Sequence, residues 1–304
     1  MRKRTILIAT AAVFMAVLLL VLTLYSRTRG GKLVSTYFEI CSHPHTSTNA
    51  LANIEQELIA NASLVIPYLN DRISKREGPV STPMRAFLKR HLPGKLAIYS
   101  ADDSVTMASM GFKVLGTNAI ADLPYLMTIL SRADDWYSVG SAILATGFRC
   151  VPALTNAALS KSERLQYNAV RTLGFFEEAM KAAHWRLEDI DYTEVHVITP
   201  ALVLSLDSSE AFAREAAVVS LIKLNRRHPD VALQALMKVV RGEKEFSVIA
   251  KALEGLLTLA PQSDSAIEAA ISTRLNDAEM EIRAASSNAL QKAGARRSEP
   301  TKSK

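Results

Sequence analysis

The stretch VPALTNAALSKSERLQYNAVRTLG, residues 151–174, contains the pattern that determines the fold of this chain. Pro152 opens an apolar run, and proline suits a first helical turn because its missing N–H would have no intrahelical partner there. Near the end of the stretch the small residue Ala169 precedes the large apolar residue Val170, and Gly174 closes it. The stretch therefore predicts two helices that form a hairpin.

The same ending recurs six times along the chain. When the chain is aligned on one closing residue per copy, the residue five positions earlier is small and the residue four positions earlier is large and apolar. The closing residues are Gly116, Gly147, Gly174, Asn225, Ala260 and Gly294. The small residues are Gly111, Ala142, Ala169, Ser220, Gly255 and Ala289, and the large ones are Phe112, Ile143, Val170, Leu221, Leu256 and Leu290. A small residue lets a neighbouring helix approach, and the large one beside it fills the space between layers, so the recurrence predicts packed helical units.

Other recurring signals mark the ends of helices. Glycine at the closing position of four copies predicts a left-handed C-cap. A Pro-x-Leu motif, expected in the first turn of a helix, occurs at residues 67–69, 124–126, 152–154 and 200–202. Turns such as Asp134-Asp135 offer side chains that cap free N–H groups. Each unit is therefore predicted to be a helical hairpin whose stacking buries faces that one hairpin would expose.

The Pro-x-Leu opening, the acidic turn, the small–large pair and the closing Leu-Gly resemble the short HEAT-like repeats of bacterial proteins. The closing residues are 31, 27, 51, 35 and 34 positions apart, and the signatures of tetratricopeptide and ankyrin repeats are absent. The resemblance covers roughly residues 60–294. It implies an all-α fold, a right-handed α-solenoid over residues 51–294 with a polar tail at 295–304, and a binding or scaffolding role. It transfers no catalytic residue.

Composition and charge exclude several classes of protein. Of the 304 residues 49% are hydrophobic and 22% are charged, which excludes a disordered chain. Two cysteines, Cys41 and Cys150, exclude a disulfide framework, and Cys150 is expected to be a buried structural thiol. Residues 1–100 carry 13 Lys and Arg against 5 Asp and Glu, whereas residues 101–304 carry 23 against 25. A nucleic-acid-binding protein would spread positive charge along its surface, so no nucleic-acid partner is expected.

An uncharged run at residues 5–25, after the basic segment 1–4, predicts a membrane anchor. Its 21 residues reach about 30 Å as a helix, which matches the hydrocarbon core of a bilayer. A cleaved signal peptide is the alternative, but its apolar core is usually shorter and is followed by a cleavage site of small residues. A retained single span is favoured, with the solenoid on the non-cytoplasmic side.

Residues 26–50 are interpreted as a tether because they contain Gly30-Gly31 and many polar residues. Within them Cys41, His43 and His45 alternate as metal ligands on a strand would, but a solvated loop is favoured and no metal or cofactor is expected. Basic residues close to the anchor are predicted to face anionic headgroups. These membrane-surface residues are Arg72, Lys75, Arg76, Arg85, Lys89, Arg90 and Lys95.

One gap between closing residues exceeds the normal unit by about twenty residues, and the excess is residues 175–193, called the insert below. Insertions in repeat proteins map to loops on one face, often the binding face. The insert is rich in aromatic and acidic residues, which predicts a partner site; an extra helix packed on the scaffold is the alternative. The predicted partner-binding residues are Phe175, Phe176, Glu177, Glu178, Trp185, Glu188, Asp189, Asp191 and Tyr192.

These observations together predict a membrane-tethered HEAT-like scaffold that binds a protein partner and has no catalytic residues. No common hydrolase, metalloprotease or nucleotide-binding motif occurs in the chain. The alternative is a lyase-like or other enzyme subunit built on the same repeats. That alternative needs a pocket lined by convergent polar groups.

Overall fold

The computed structural model describes residues 29–41, 47–74, 101–260 and 265–298. Every regular element in these ranges is helical, so the all-α prediction is confirmed for them. The predicted membrane span at 5–25 lies outside the described residues. Among the residues that are described, no helix is long and apolar enough to cross a bilayer.

The chain forms two compact units. The first comprises the described residues up to Ile129 together with Ser141–Thr146. Its helices are α1 over 29–41, α2 Thr48–Ala60, α3 Ala62–Ile73, α4 Ala101–Leu115, a 3₁₀ turn Gly116–Asp122 and α5 Leu123–Leu130, of which the last residue belongs to the second unit.

The tether interpretation of residues 26–50 is wrong for most of the segment. Residues 29–41 form α1, in which Val34 and Tyr37 are buried, and Ser47 caps α2 by accepting a hydrogen bond from the Ala50 N–H at 3.2 Å. A Cβ on Gly30 would collide with the backbone carbonyl of Leu64 in α3. The glycine that favoured a flexible linker therefore permits close helix packing instead.

The second unit comprises Leu130–Gly140 and the residues from Gly147 onward. Its helices are α6 Trp136–Ala145 as far as Gly140, a 3₁₀ turn Gly147–Cys150, α7 Val151–Ala158, α8 Glu163–Leu173, α9 Phe176–Ala182, α10 Leu187–Thr193, a π-helical turn Glu194–Ile198, α11 Thr199–Ser205, α12 Ala211–Leu224, α13 Pro229–Gly242, α14 Phe246–Leu259, α15 Ser265–Ser272 and α16 Met280–Ser298.

Within the second unit consecutive helices pair as hairpins, and the hairpins stack in two layers. The pairs are α7–α8, α11–α12, α13–α14 and α15–α16. The first helices of the pairs contact one another in sequence, and the second helices α8, α12, α14 and α16 do the same. Ser220 of α12 donates a hydrogen bond to the Val170 carbonyl of α8 at 2.9 Å, which links two neighbouring hairpins. The predicted helical repeat is therefore present in this unit.

The small–large pattern marks the core in both units. All six small residues are buried, as are five of the six large ones, and Leu290 is half-buried. A Cβ on Gly255 of α14 would lie 2.5 Å from Cδ1 of Ile222 in α12. The small position therefore sets how closely consecutive second helices approach.

The predicted helix ends are only partly correct. Gly116 and Gly147 have the left-handed backbone of the predicted caps, with φ of 54° and 78°. Gly174 has φ −63° and Gly294 lies inside α16, so the C-cap prediction is wrong for both. A Cβ on Gly174 would lie 2.9 Å from Cβ of Ser220, so this glycine serves the approach of two helices.

Proline begins helices as expected at three of its four motifs. Pro124, Pro152 and Pro200 each occupy the second residue of a helix, whereas Pro67 lies inside α3. Asp135 caps α6 by accepting a hydrogen bond from the Ser138 N–H at 3.1 Å.

An arginine near the start of α12 fixes the turns on either side of it. Arg214 donates to the backbone carbonyls of Ser208 and Ser209, both at 2.9 Å. It also forms a two-pronged ion pair with Glu243 at 2.7 and 3.0 Å. Burial raises the pKa of Glu243. Hydrogen bonds from Arg214 and from the N–H groups of Glu245 and Lys244 have the opposite effect and outweigh it, so the pKa of Glu243 lies below its usual value.

Candidate functional site

The insert folds as two short helices, α9 and α10, and part of it belongs to the core. Phe176, Met180 and Ile190 are buried, and the Phe176 ring packs against Phe148 with centroids 5.6 Å apart. The prediction that Phe176 contacts a partner is therefore wrong, since its ring is fully covered by the chain itself. For these buried residues the alternative interpretation, an extra helix packed on the scaffold, is correct.

The other aromatic residues of the insert remain accessible. Trp185 is 38% exposed and stands edge-on to Phe148 at 4.8 Å. It follows His184, which has a left-handed φ of 58°. Tyr192 is 65% exposed and lies beside His196.

The acids of the insert divide into paired and unpaired groups. Arg227 binds Glu177 at 2.7 Å and also Asp191. Asp189 pairs with Arg186 at 2.9 Å. Three of the predicted partner-binding residues, Glu177, Asp189 and Asp191, therefore already have cationic partners within the chain. Three others, Glu178, Glu188 and Tyr192, are exposed to solvent.

A buried carboxyl group lies next to the insert and was not identified from the sequence. Glu194, the first residue of the π-helical turn, is 3% exposed, and its Oε1 has no hydrogen-bond partner among the described residues. Burial raises the pKa of Glu194 to about 8; Glu177 and Asp191 raise it as well, while Arg227 and Lys181 oppose the shift.

A groove of about 400 Å³ lies on the layer of second helices in the second unit. It is bounded by α8, α12 and α14, and it meets the insert at one residue, Phe175. The groove is defined by Tyr167, Arg171, Gly174, Phe175, Phe212, Glu215, Ala216, Val219, Ser220, Lys223 and Lys251.

Helical spacing brings the groove residues of α12 into one stripe. Phe212, Ala216, Val219 and Lys223 follow one another at intervals of three or four residues, and Glu215 stands three residues after Phe212, which places all five on one face of the helix. Phe212 is 73% exposed although it is large and apolar. This stripe provides both an uncovered apolar side chain and a cation.

Aromatic rings hold the two cations at one end of the groove. The guanidinium of Arg171 lies 4.5 Å from the centre of the Trp136 ring, and it donates a hydrogen bond to the Tyr167 hydroxyl at 2.6 Å. The ammonium of Lys223 lies 3.5 Å from the centre of the Phe175 ring. Cation–π contacts of this kind orient a positive charge without neutralising it.

Neither Arg171 nor Lys223 forms an ion pair with any residue in the described ranges. Burial lowers the pKa of Lys223, and the charges of Arg171 and Arg226 lower it further, whereas Glu178 opposes the shift. Lys251 pairs with Glu254 at 2.9 Å. The groove therefore contains two neighbouring like charges that are partly removed from water.

Of the two cysteines, Cys150 is buried, as expected for a structural thiol. Cys41 is exposed, while His43 and His45 lie outside the described residues. Where the chain is described, no group of three His, Cys, Asp or Glu could hold a metal ion.

Of the predicted membrane-surface residues only Arg72 is described, and its guanidinium lies 5.0 Å from the Tyr68 ring centre.

No protein-family description and no curated protein matches this chain. Solved structures align with it at low sequence identity. An engineered protein aligns at 13% identity and a TM-score of 0.38, over 86% of this chain and 97% of its own. Human deoxyhypusine hydroxylase in complex with glycerol aligns at 16% identity and a TM-score of 0.35, over 90% and 98%. A second engineered protein aligns at 16% identity and a TM-score of 0.37, over 86% and 68%. These TM-scores are all below 0.5.

Proposed function

We propose that this chain is a non-catalytic scaffold of HEAT-like helical hairpins, wound as a right-handed α-solenoid, that binds a protein partner. The groove between α8, α12 and α14 is the partner site, and Phe175 joins it to the insert. Residues 5–25 tether the scaffold to a membrane, and the helical part lies on the non-cytoplasmic side.

The observation that carries this proposal is a groove with the exposed Phe212 at one end and, at the other, Arg171 and Lys223, neither of which forms an ion pair within the described residues. Large aromatic residues and arginine are enriched among the residues that dominate binding energy at protein interfaces. Packing within the repeats explains the buried residues of α12, but it does not explain an apolar ring that faces solvent. A partner that covers Phe212 removes that ring from water.

Site-specific photo-crosslinking tests the proposal. A photoreactive phenylalanine analogue at position 212 is expected to crosslink a discrete protein in an extract of the source cells. The matched control carries the analogue at Leu204, a 58% exposed apolar residue of α11 in the other helix layer. Equal crosslinking from both positions, or none from position 212, would contradict a partner site in the groove.

The tether is tested separately by two deletions. Removing residues 1–26 is expected to release the protein from membranes while its cooperative unfolding is retained. Removing residues 1–46 also deletes α1, whose Val34 and Tyr37 are buried, and is expected to destabilise the first unit. If the shorter deletion left the protein in the membrane fraction, the anchor at 5–25 would be wrong. The alternative, an enzyme subunit, has no supporting observation among the described residues.

A further inference from the structure

We infer that the groove binds a short acidic peptide segment in an extended conformation, with its carboxylates at the Arg171–Lys223 end and an apolar side chain against Phe212. This inference rests on the proposed function, because it names the class of partner for the same groove. The charge, the length and the surface chemistry of the groove support it.

The net positive charge of the groove favours an acidic peptide. The groove is lined by three cations, Arg171, Lys223 and Lys251, and by one carboxylate, Glu215. Two of the cations, Arg171 and Lys223, lie close enough for the charge of one to lower the pKa of the other; both are held on aromatic rings, and neither forms an ion pair with a residue that the structure describes. Their mutual repulsion is relieved when an anion enters between them, whereas a basic segment would add to it.

The length of the groove determines the spacing of the occupant's features. Phe212 and Lys223 are eleven positions apart on α12, which corresponds to about 16 Å at the helical rise of about 1.5 Å per residue. An extended chain advances about 3.3 Å per residue, so about five residues cover this distance. The apolar side chain and the carboxylates are therefore expected at opposite ends of a five-residue segment.

The surface between the two ends favours a peptide over a nucleic acid. Ala216 and Val219 form an apolar floor between Phe212 and Lys223. A nucleic acid would require cations that continue along a phosphate track. Residues 101–304 instead carry 23 Lys and Arg against 25 Asp and Glu, so the positive charge at the groove is local.

The test measures fluorescence anisotropy of labelled peptides with the full-length chain solubilised in detergent. The acidic probes are Leu-Ser-Ser-Glu-Glu and the reverse sequence Glu-Glu-Ser-Ser-Leu, which cover both chain directions. The comparison probes replace both glutamates by glutamine or by lysine, and a further probe replaces leucine by serine. The expected result is that one acidic probe binds at least about tenfold more tightly than its glutamine and lysine counterparts, and that added salt weakens it.

Substitutions in the groove locate the binding. Lys223→Gln is expected to weaken the acidic probe about tenfold and to leave the glutamine probe unchanged, since only a carboxylate interacts with the lost charge. Phe212→Ser is expected to abolish the preference for leucine over serine in the peptide. The matched controls are Lys238→Gln, an exposed lysine of α13, and Leu204→Ser in α11, and neither is expected to change binding.

Several outcomes would overturn the inference and distinguish it from the proposed function. If the glutamine or lysine probe binds as tightly as the acidic one and Phe212→Ser abolishes that binding, the acidic partner is wrong and the protein-binding groove stands. If a labelled thymidine decamer binds more tightly than the peptides and requires Lys223, the groove is a nucleic-acid site. If no probe binds, or if binding ignores both groove substitutions, the acidic-peptide inference falls; crosslinking from position 212 then decides the proposed function by itself.

Discussion

The regular hairpins of the second unit and the insert between them are built on different principles. In α12 and α14 the core consists of small and aliphatic residues such as Ala217, Leu221 and Leu256, which are all fully buried. Around the insert the core instead contains a phenylalanine, Phe176, and a carboxyl group, Glu194.

The regular repeats acquire most of their stability from close contact between helices at the small positions of the pattern, such as Gly174 and Gly255. A segment without the pattern is attached through large aromatic side chains and charged groups. The stability of that second kind of packing depends on protonation, because a buried carboxyl group is costly when it is ionised. Five predictions test this difference.

The largest effect is expected from Phe176→Ala. The ring is fully buried, and truncation of a buried phenylalanine typically costs 3–5 kcal/mol, so we expect about 4 kcal/mol of lost unfolding free energy. Phe212→Ala is the control, because that ring is exposed and its loss is expected to leave stability nearly unchanged. Chemical denaturation of both variants checks the prediction, and similar losses for the two would contradict the assignment of Phe176 to the core.

A smaller loss is expected from Arg214→Ala in the regular repeats. Removing one partner of a partly buried pair leaves Glu243 without its cation, and we expect about 2 kcal/mol of destabilisation at pH 7. Arg186→Ala, which removes an exposed pair with Asp189, is expected to leave the melting temperature unchanged.

The Arg214 interaction also predicts a pH dependence. The pKa of folded Glu243 lies below its usual value of 4.5, so its stabilising contribution is present above pH 4.5 and is lost as the pH falls through the folded pKa. The stability difference between wild type and Arg214→Ala should therefore shrink at acidic pH. A constant difference from pH 7 down to pH 3 would be inconsistent with this ion pair.

Glu194→Gln is expected to act in the opposite direction. The pKa of folded Glu194 is about 8 against 4.5 when unfolded, so the folded state binds the proton more tightly. Its ionised form destabilises the fold above pH 8, and this penalty disappears as the pH falls from 8 towards 4.5. The variant should be about 2 kcal/mol more stable than wild type at pH 9 and differ little at pH 5. Denaturation from pH 5 to 9 checks this, with the exposed Glu188→Gln as control.

The smallest effect is expected from Trp185→Ala. Its ring touches Phe148 but is 38% exposed, so we expect about 1 kcal/mol of destabilisation, well below that of Phe176→Ala. If Trp185 contacts the partner, as the sequence predicts, the variant also loses crosslinking from position 212. A loss of several kcal/mol would instead assign Trp185 to the core and remove it from the partner site.

Residue patterns predicted the hairpins well but their connections poorly. The small–large pairs correctly identified core positions from Gly111 to Ala289, because this pattern reports the local approach of two helices. The helix over 29–41 was missed, since Gly30-Gly31 is compatible with a flexible linker as well as with a close contact to Leu64. The difference depends on which segment lies opposite, and that information is not local.

The candidate site was predicted only where its residues are contiguous. The insert drew attention to Phe175, which does reach the groove, but it also drew attention to Phe176, which does not face solvent. Tyr167, Arg171, Phe212 and Lys223 share helical spacing within α8 and α12, and this spacing was the available signal. This signal was insufficient because a stripe of aromatic and basic residues on one helix forms a groove only when a neighbouring helix places its own stripe next to it. The sequence does not show which helices are neighbours.

By itself the sequence determined that this protein is built from repeated helical hairpins, because period and side-chain size follow from local geometry. It also determined where charge accumulates along the chain. Only the tertiary structure decided that Arg171 and Lys223 line the same groove, each held on an aromatic ring, and that Glu194 is enclosed. These properties depend on solvent exclusion and on distances between residues far apart in the chain, which arise when the hairpins stack.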